Sequence, residues 1–363
     1  MKFLALSYVK FPIVLTQKIF TSKQTISTKN SFIIKALLSD NNYYFGEAAP
    51  LINFSFETEE EIENSISTVF NKLSNIDFLF DFDSIIKQLD DLQIPNSLRF
   101  AVEQIIITYY ANKPETKEYF TGKIKSNFIK INALISLTDN NNIINQIHSK
   151  IKKGFDTFKL KMGINNFTDE LKLLENINKE FGNKIKIRLD LNGKWSLNEA
   201  LINIKHLEKF NIEYIEDPVN NIIDMAELTK NTSIPIAVDE VINDSNNIEL
   251  LLFNSYLNTI IIKPMLYGSI FKIIEIITNP QYFNNKFIIS SLFESSLAKP
   301  ILVYLASLCT PNLAHGLSTF DILKTDTASN ILPMTKGNIN FNSDNIFNLV
   351  NQNNLIVNYN EYN

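Results

Sequence analysis

The chain has 363 residues, 45% hydrophobic and 20% charged, with 34 basic against 39 acidic residues and a formal net charge of −5. That composition belongs to a globular protein with room for two units and excludes disordered and fibrous classes. No long Lys/Arg cluster supplies the positive footprint that nucleic-acid phosphates need, and a single cysteine, Cys309, excludes intrachain disulfides and thiolate metal sites.

The first segment, MKFLALSYVKFPIVL, sets Lys2 before an apolar run in the manner of a secretory leader. Lys10 interrupts the run and no small-residue cleavage site follows, so it reads as a strand. With SFIIKALLS and YYFGEAA it predicts a small antiparallel sheet over residues 1 to about 50. Helices follow. ETEEEIENSISTVFNKLS has the acidic opening that complements a helix macrodipole, and SLRFAVEQIIITYYANK has an Asn-Ser start and a largely apolar body. Strands followed by helices describe an α+β unit, expected over residues 1–120.

From about residue 128 short strands alternate with helices: FIKINALI, TFKLKM, KIKIRLDL, IEYIED, IPIAVDE, TIIIKP, KFIISSLF and NLAHGL. Eight continuous apolar runs suit a closed barrel buried on both faces, although a doubly wound open sheet gives the same alternation. The barrel unit is expected over 121–324. The tail, 325–363, alternates weakly and is expected to return to the N-terminal unit. No uncharged apolar stretch reaches the ~18 residues needed to span a bilayer, so a cytoplasmic protein without membrane partners is expected. Glycine is scarce at nine residues, and neither GxGxxG nor GxxxxGK[ST] occurs, which excludes the usual phosphate cradles.

Five of these runs end on a charge: Lys161 in FKLKMG, Asp190 in IRLDLNG, Glu216 in YIEDP, Asp239 in IAVDE and Lys263 in IIIKP, in steps of 29, 26, 23 and 24 residues. A lone charge at a strand end is usually a solvated loop residue. An ordered set of five is expensive to bury unless it converges on one site, and barrels place catalytic groups at these strand ends. Alternation along a strand points Lys159 and Lys161 one way, and Arg188, Asp190 and Asn192 one way. In the pairs Glu216–Asp217 and Asp239–Glu240 only one member can point inward.

Three carboxylates from adjacent strands make an all-oxygen cage for a hard cation. Mg²⁺ is expected, with Mn²⁺ as a substitute, rather than Zn²⁺. A Lys crowded by another cation and desolvated can be neutral near pH 7 and take a proton, so the reaction class is proton abstraction α to a carboxylate. The histidines do not cluster: His148 and His206 lie in helix-like segments and His315 ends the last strand run. Trp195 is expected to pack at the start of the helix after Asn192, and Cys309 to behave as a small buried hydrophobe.

These residues resemble the enolase superfamily, in its muconate-lactonizing-like branch. GEAAPL at 46–51 with FSFET at 54–58 is similar to the family's capping loop, and SLRFAVE at 97–103 to the helix before its barrel. FKLKMG carries its KxK, Asp190, Glu216 and Asp239 fall on its three metal positions, and Lys263 falls on the lysine of the sixth strand. ISSLFESSL at 289–297 and LAHGLSTFDIL at 313–323 are most similar to the seventh and eighth strand ends of the o-succinylbenzoate synthases of that branch. Where dipeptide epimerases carry a DxD for the substrate ammonium, this chain reads HGLST. One departure is LAKP, which sets Pro300 in a first helical turn where the family usually has Gly.

The resemblance implies an α/β fold, a (β/α)7β TIM-type barrel with an N-terminal α+β capping domain. It implies a hydro-lyase acting on a small carboxylate: the Mg²⁺-dependent syn-dehydration of 2-succinyl-6-hydroxy-2,4-cyclohexadiene-1-carboxylate to 2-succinylbenzoate in menaquinone biosynthesis. In that scheme Lys161 is the base and then the acid, and Lys263 stabilises the enediolate. Lys159 and Asn192 orient carboxylate and base, while Phe54, Ser55, Ser290 and Ser291 meet the succinyl tail. Alternatives are N-acylamino acid racemization, dipeptide epimerization or cycloisomerization on the same groups. A non-catalytic barrel scaffold is an alternative of another class, disfavoured because a scaffold has no need of costly charges. The sequence leaves oligomerization open.

Overall fold

The computed structural model describes residues 1–21, 24–135, 140–240, 251–252, 257–329 and 331–357. Three long antiparallel strands open the chain, β1 (Phe3–Phe20), β2 (Thr25–Leu38) and β3 (Tyr43–Ala48), in that spatial order. The period of two in β2 gives the sheet two destinations. Phe32, Ile34, Ala36 and Leu38 bury in the main core, whereas Ile33 joins Val9, Phe45 and Leu297 in a second cluster. Since Leu297 comes from the far end of the chain, the sheet is held between its own helices and a later unit.

Helix α1 (Glu59–Leu73) starts at a capping box in which Thr58 and Glu61 satisfy each other's backbone N–H groups, and it buries Ile62, Ile66, Val69 and Leu73 on one stripe. α2 (Phe82–Asp90) follows, and α3 (Asn96–Ala111) is buried almost all round. That is the reason for its apolar body: it packs on β3 and also reaches the second unit, where Glu103 accepts from Ser269 Oγ at 2.9 Å and Phe271 N at 2.9 Å. α4 (Pro114–Thr121) completes this part.

The second unit is a parallel sheet in sequential order. It runs from β5 (Ala133–Ile135) through β6 (Thr157–Lys161), β7 (Lys186–Asp190), β8 (Ile212–Glu216), β9 (Ile236–Val238) and β10 (Thr259–Ile262) to β11 (Lys286–Ile289). Sequential order separates it from a doubly wound sheet. The first run, FIKINALI, is split: β4 (Phe128–Ile131) pairs in parallel with β12 (Ala314–His315), and Asn132 alone separates β4 from β5. Ser290, following β11, bridges in parallel to Gly316 after β12. The ring therefore closes at a seam between the last strands and the first. A Cβ on Gly316 would lie 2.6 Å from Ser290 Oγ and 3.1 Å from its Cβ, so any larger residue would have to displace the Ser290 side chain at this seam.

The tail touches both units. Val14 N donates to Thr325 Oγ1 at 2.7 Å on β1, while the hairpin β13 (Met334–Thr335) and β14 (Asn338–Asn340) adds antiparallel to β4. Pro300 occupies the first turn of the helix Lys299–Leu308, where its missing N–H is harmless. Among the described residues no helix is long and apolar enough to cross a membrane.

Candidate active site

Parallel register brings the charged strand ends to one level: Lys161 pairs with Asp190, and Asp190 with Glu216. Lys159 Nζ lies 2.9 Å from Asp190 Oδ2 and 2.6 Å from Glu216 Oε1, and Lys263 Nζ lies 2.5 Å from Asp239 Oδ2. Lys161 Nζ instead donates to Asn192 Oδ1 at 2.9 Å. Asn192 and Gly193 both have left-handed backbone, φ 47° and 70°, a tight reversal just past β7 that asparagine and glycine tolerate best.

Facing within each acidic pair follows from what the neighbour binds. Glu216 points in at Lys159, while Asp217 accepts the backbone N–H of Asp239 at 3.0 Å and of Glu240 at 2.8 Å, tying β8 to the end of β9. Asp239 points in at Lys263. Glu240, expected outward, also borders the cavity and accepts from Asn192 Nδ2 at 3.3 Å. β9 ends at Val238, so strand alternation no longer governs those two residues.

Burial drives the Glu216 carboxyl well above its ordinary range even though Lys159 opposes it. Burial would raise Asp239 too, but Lys263 and then Lys159 hold it low. Among the lysines, Lys159 and Lys263 lose to burial but gain more from the carboxylates, so both ammonium groups are held above the usual value. Lys161 goes the other way: burial, reinforced by Lys159, outweighs Asp190 and lowers it.

Asp190 Oδ1, Glu216 Oε2 and Asp239 Oδ1 are each buried without a hydrogen-bond partner. Three orphaned carboxylate oxygens on adjacent strands are costly unless a cation takes them, so these side chains fit a hard divalent metal by their chemistry. Their other oxygens are held by lysines, and among the described residues no group of three or more acidic, His or Cys side chains is gathered as a ligand set.

Lys161, Lys263, Phe54, Ser290 and Ser291 border a cavity of about 140 Å³ above the carboxylates. Ser291 Oγ contacts Thr319 Oγ1 across the seam, a hydroxyl neighbour that strand pattern could not reveal. Ser55, expected beside Phe54 at the substrate, is a correction: its Oγ accepts Leu51 N–H at 2.9 Å, bracing its own loop, and it does not line the cavity. His315 is buried with its Nδ1 accepting Ile289 N–H at 3.0 Å, and burial beside Arg188 lowers it to about 3, so it is a neutral structural group. Trp195 stacks edge-on against Phe167.

Residues 142–344 match the family model described as Enolase C-terminal domain-like. The chain is similar to Protein PHYLLO, chloroplastic, of Arabidopsis thaliana, with 23% identity over 84% of this chain, and spans only 20% of that protein's length. It is 25% identical to an o-succinylbenzoate synthase of Desulfotalea psychrophila over 90% of this chain and 96% of that one. In structure it is similar to a dipeptide epimerase of Enterococcus faecalis V583 complexed with Mg and the dipeptide L-Leu-L-Tyr. The TM-score is 0.83 at 20% identity, covering 94% of this chain and 98% of that one.

Proposed function

The chain belongs to the Enolase C-terminal domain-like family of the enolase superfamily, and from that premise we propose that it is an o-succinylbenzoate synthase, dehydrating 2-succinyl-6-hydroxy-2,4-cyclohexadiene-1-carboxylate to 2-succinylbenzoate. The observation that carries this reading is the asymmetry of the cavity. Charged groups occupy the β6 to β10 side, whereas the seventh and eighth strand ends offer an uncharged hydroxyl wall of Ser290, Ser291, Ser318 and Thr319. Hydroxyl donors suit the oxygens of a succinyl tail and supply no counter-ion for an ammonium group.

In this reading Asp190, Glu216 and Asp239 would hold Mg²⁺, which would supply positive charge against that developing on the substrate carboxylate. Lys161 Nζ, the lysine with the lowered pKa, takes the ring proton next to the carboxylate. It then returns that proton to the departing hydroxyl, so that water leaves and the ring becomes aromatic. Lys263, kept cationic, faces the same ring and stabilises its negative charge. Lys159 keeps two metal carboxylates in place, Asn192 aims Lys161, and Phe54 covers the ring from the capping loop. Residues 1–120 serve as the capping unit, 121–324 as the barrel unit, and 325–363 as the segment joining them.

The test is an ultraviolet assay of aromatization with and without Mg²⁺. Turnover that depends on Mg²⁺ and on Lys161 is expected, and no turnover of the diene acid by folded, Mg²⁺-loaded protein rejects the synthase. The same hydroxyl wall fits an N-acylated amino acid, which makes racemization of such acids the second reading. Exchange of their α-proton in D₂O distinguishes it.

A further inference from the structure

We infer that Asn132 is a substrate-binding residue whose side-chain amide donates to an acceptor oxygen, carbonyl or carboxylate, on the substrate's side group. This rests on the reading that the cavity takes a carboxylate held at Asp190, Glu216 and Asp239. Asn132 stands at the barrel seam, the single residue between β4 and β5, with its backbone N–H on His315 O at 3.0 Å. β4 pairs with β12, and Gly316 just past β12 bridges to Ser290, so Asn132 stands on the side of the cavity that carries the hydroxyl wall. Leu134 is in register with Lys159, so Asn132, two residues earlier, lies one layer deeper and lines the cavity at its floor.

The orientation of its amide follows from Arg188. That guanidinium is fully buried, with Nε donating to Glu213 Oε2 at 2.7 Å and Cζ 4.7 Å from the centroid of the Tyr214 ring. Its Nη1 donates to Asn132 Oδ1 at 3.2 Å. A guanidinium only donates, so the atom facing it must be the amide oxygen, and the NH₂ is turned the other way. Asn132 is 4% exposed, and its Nδ2 donates to no described residue. Unlike Arg188 Nη2, which is sealed without a partner, Nδ2 is not among the closed-off atoms and opens on the cavity. A nearly buried donor that faces the cavity without a protein partner leaves a place for an acceptor oxygen of a bound molecule.

Binding of 2-succinylbenzoate and of benzoate, which lacks the side group, is measured by calorimetry with Mg²⁺ present. Asn132→Ala is expected to weaken 2-succinylbenzoate about tenfold, the worth of one buried hydrogen bond, and to leave benzoate within about twofold. Asn132→Asp keeps an acceptor for Arg188, guards against a folding defect, and replaces the donor by an anion. It is expected to weaken 2-succinylbenzoate by more than tenfold. Equal losses for both ligands, or no loss for either, overturn the inference. If the wild type binds N-succinylphenylalanine but not 2-succinylbenzoate, and Asn132→Ala weakens only that ligand, the synthase reading falls and the role of Asn132 stands. A wild type that binds neither tailed ligand better than benzoate overturns it.

Discussion

Lys161 Nζ donates to Asn192 Oδ1 at 2.9 Å, whereas Lys159, two residues earlier on the same face of β6, is claimed by Asp190 and Glu216. One strand thus presents one lysine bound to carboxylates and one bound only to a neutral amide. The division predicts different phenotypes. Lys161→Ala should lower turnover by about 10²- to 10⁴-fold, the usual worth of a positioned acid–base group, with Mg²⁺ affinity nearly unchanged. Lys159→Ala should change both. Rate measurements beside Mg²⁺ titrations check the pair, and wild-type turnover by Lys161→Ala removes that lysine from the mechanism.

Asp239→Asn removes one of the three carboxylates proposed to hold Mg²⁺ and the partner of Lys263 at 2.5 Å. Mg²⁺ affinity should fall tenfold or more by analogy with weaker perturbations of metal sites. Because a cation that binds only the folded state stabilises it by mass action, the Mg²⁺ concentration that raises the melting temperature should move up correspondingly. An unmoved midpoint would argue against the carboxylate cage.

The pH dependence of kcat/KM should follow Lys161. Burial, aided by Lys159, lowers this ammonium from the ordinary lysine value of 10.5, so the neutral base accumulates as pH rises, and the rate should climb and level off below that value. The same shift has a stability sign. A depressed lysine contributes stability present above its unfolded pKa and lost as pH falls through the folded one, so Lys161→Met should melt higher than wild type at neutral pH. A profile still rising through pH 10.5 would contradict the assignment.

The joint between capping sheet and barrel carries its own pH signature. Lys29 Nζ, buried in β2, donates to Ala49 O at 2.8 Å and to Leu292 O at 2.9 Å, with Glu294 and Glu47 as the nearest opposing charges. Burial raises Glu294 to about 7 and lowers Lys29 to about 8. A raised carboxyl contributes stability present below its unfolded pKa and lost as pH climbs through the folded one. Folding should therefore weaken by roughly 3 kcal/mol between about pH 4.5 and 7 on account of Glu294. The depressed Lys29 should restore a similar amount between about pH 8 and 10.5. Glu294→Gln keeps an acceptor for Leu292 N–H and should flatten the acid limb in urea unfolding, and an unchanged slope in that variant would exclude Glu294 as its source.

Much of the site is legible because its residues lie within strands. Spacing by one strand and helix sets Lys161, Asp190 and Glu216 on neighbouring strands, and a period of two makes Lys159 share the face of Lys161. Those facts need only local geometry, since covalent pleating decides which side a residue takes. The period fails at the next residues along. Glu240 borders the cavity although Asp239 does too, and Ser55 serves its own loop although Phe54 beside it reaches the cavity, because beyond a strand end the facing is chosen by hydrogen-bond partners.

The sequence by itself determined the order of elements, the closing charge on five of the strand runs and hence the family, all of which follow from near-neighbour patterning. Only the tertiary structure decided which oxygens are orphaned, which lysine is lowered, that Lys29 meets Leu292 and that Asn132 turns its amide to the cavity floor. Each of these depends on desolvation and on partners 31 to 263 residues away. Burial and Coulomb energy are properties of the assembled surroundings, and no local period encodes them.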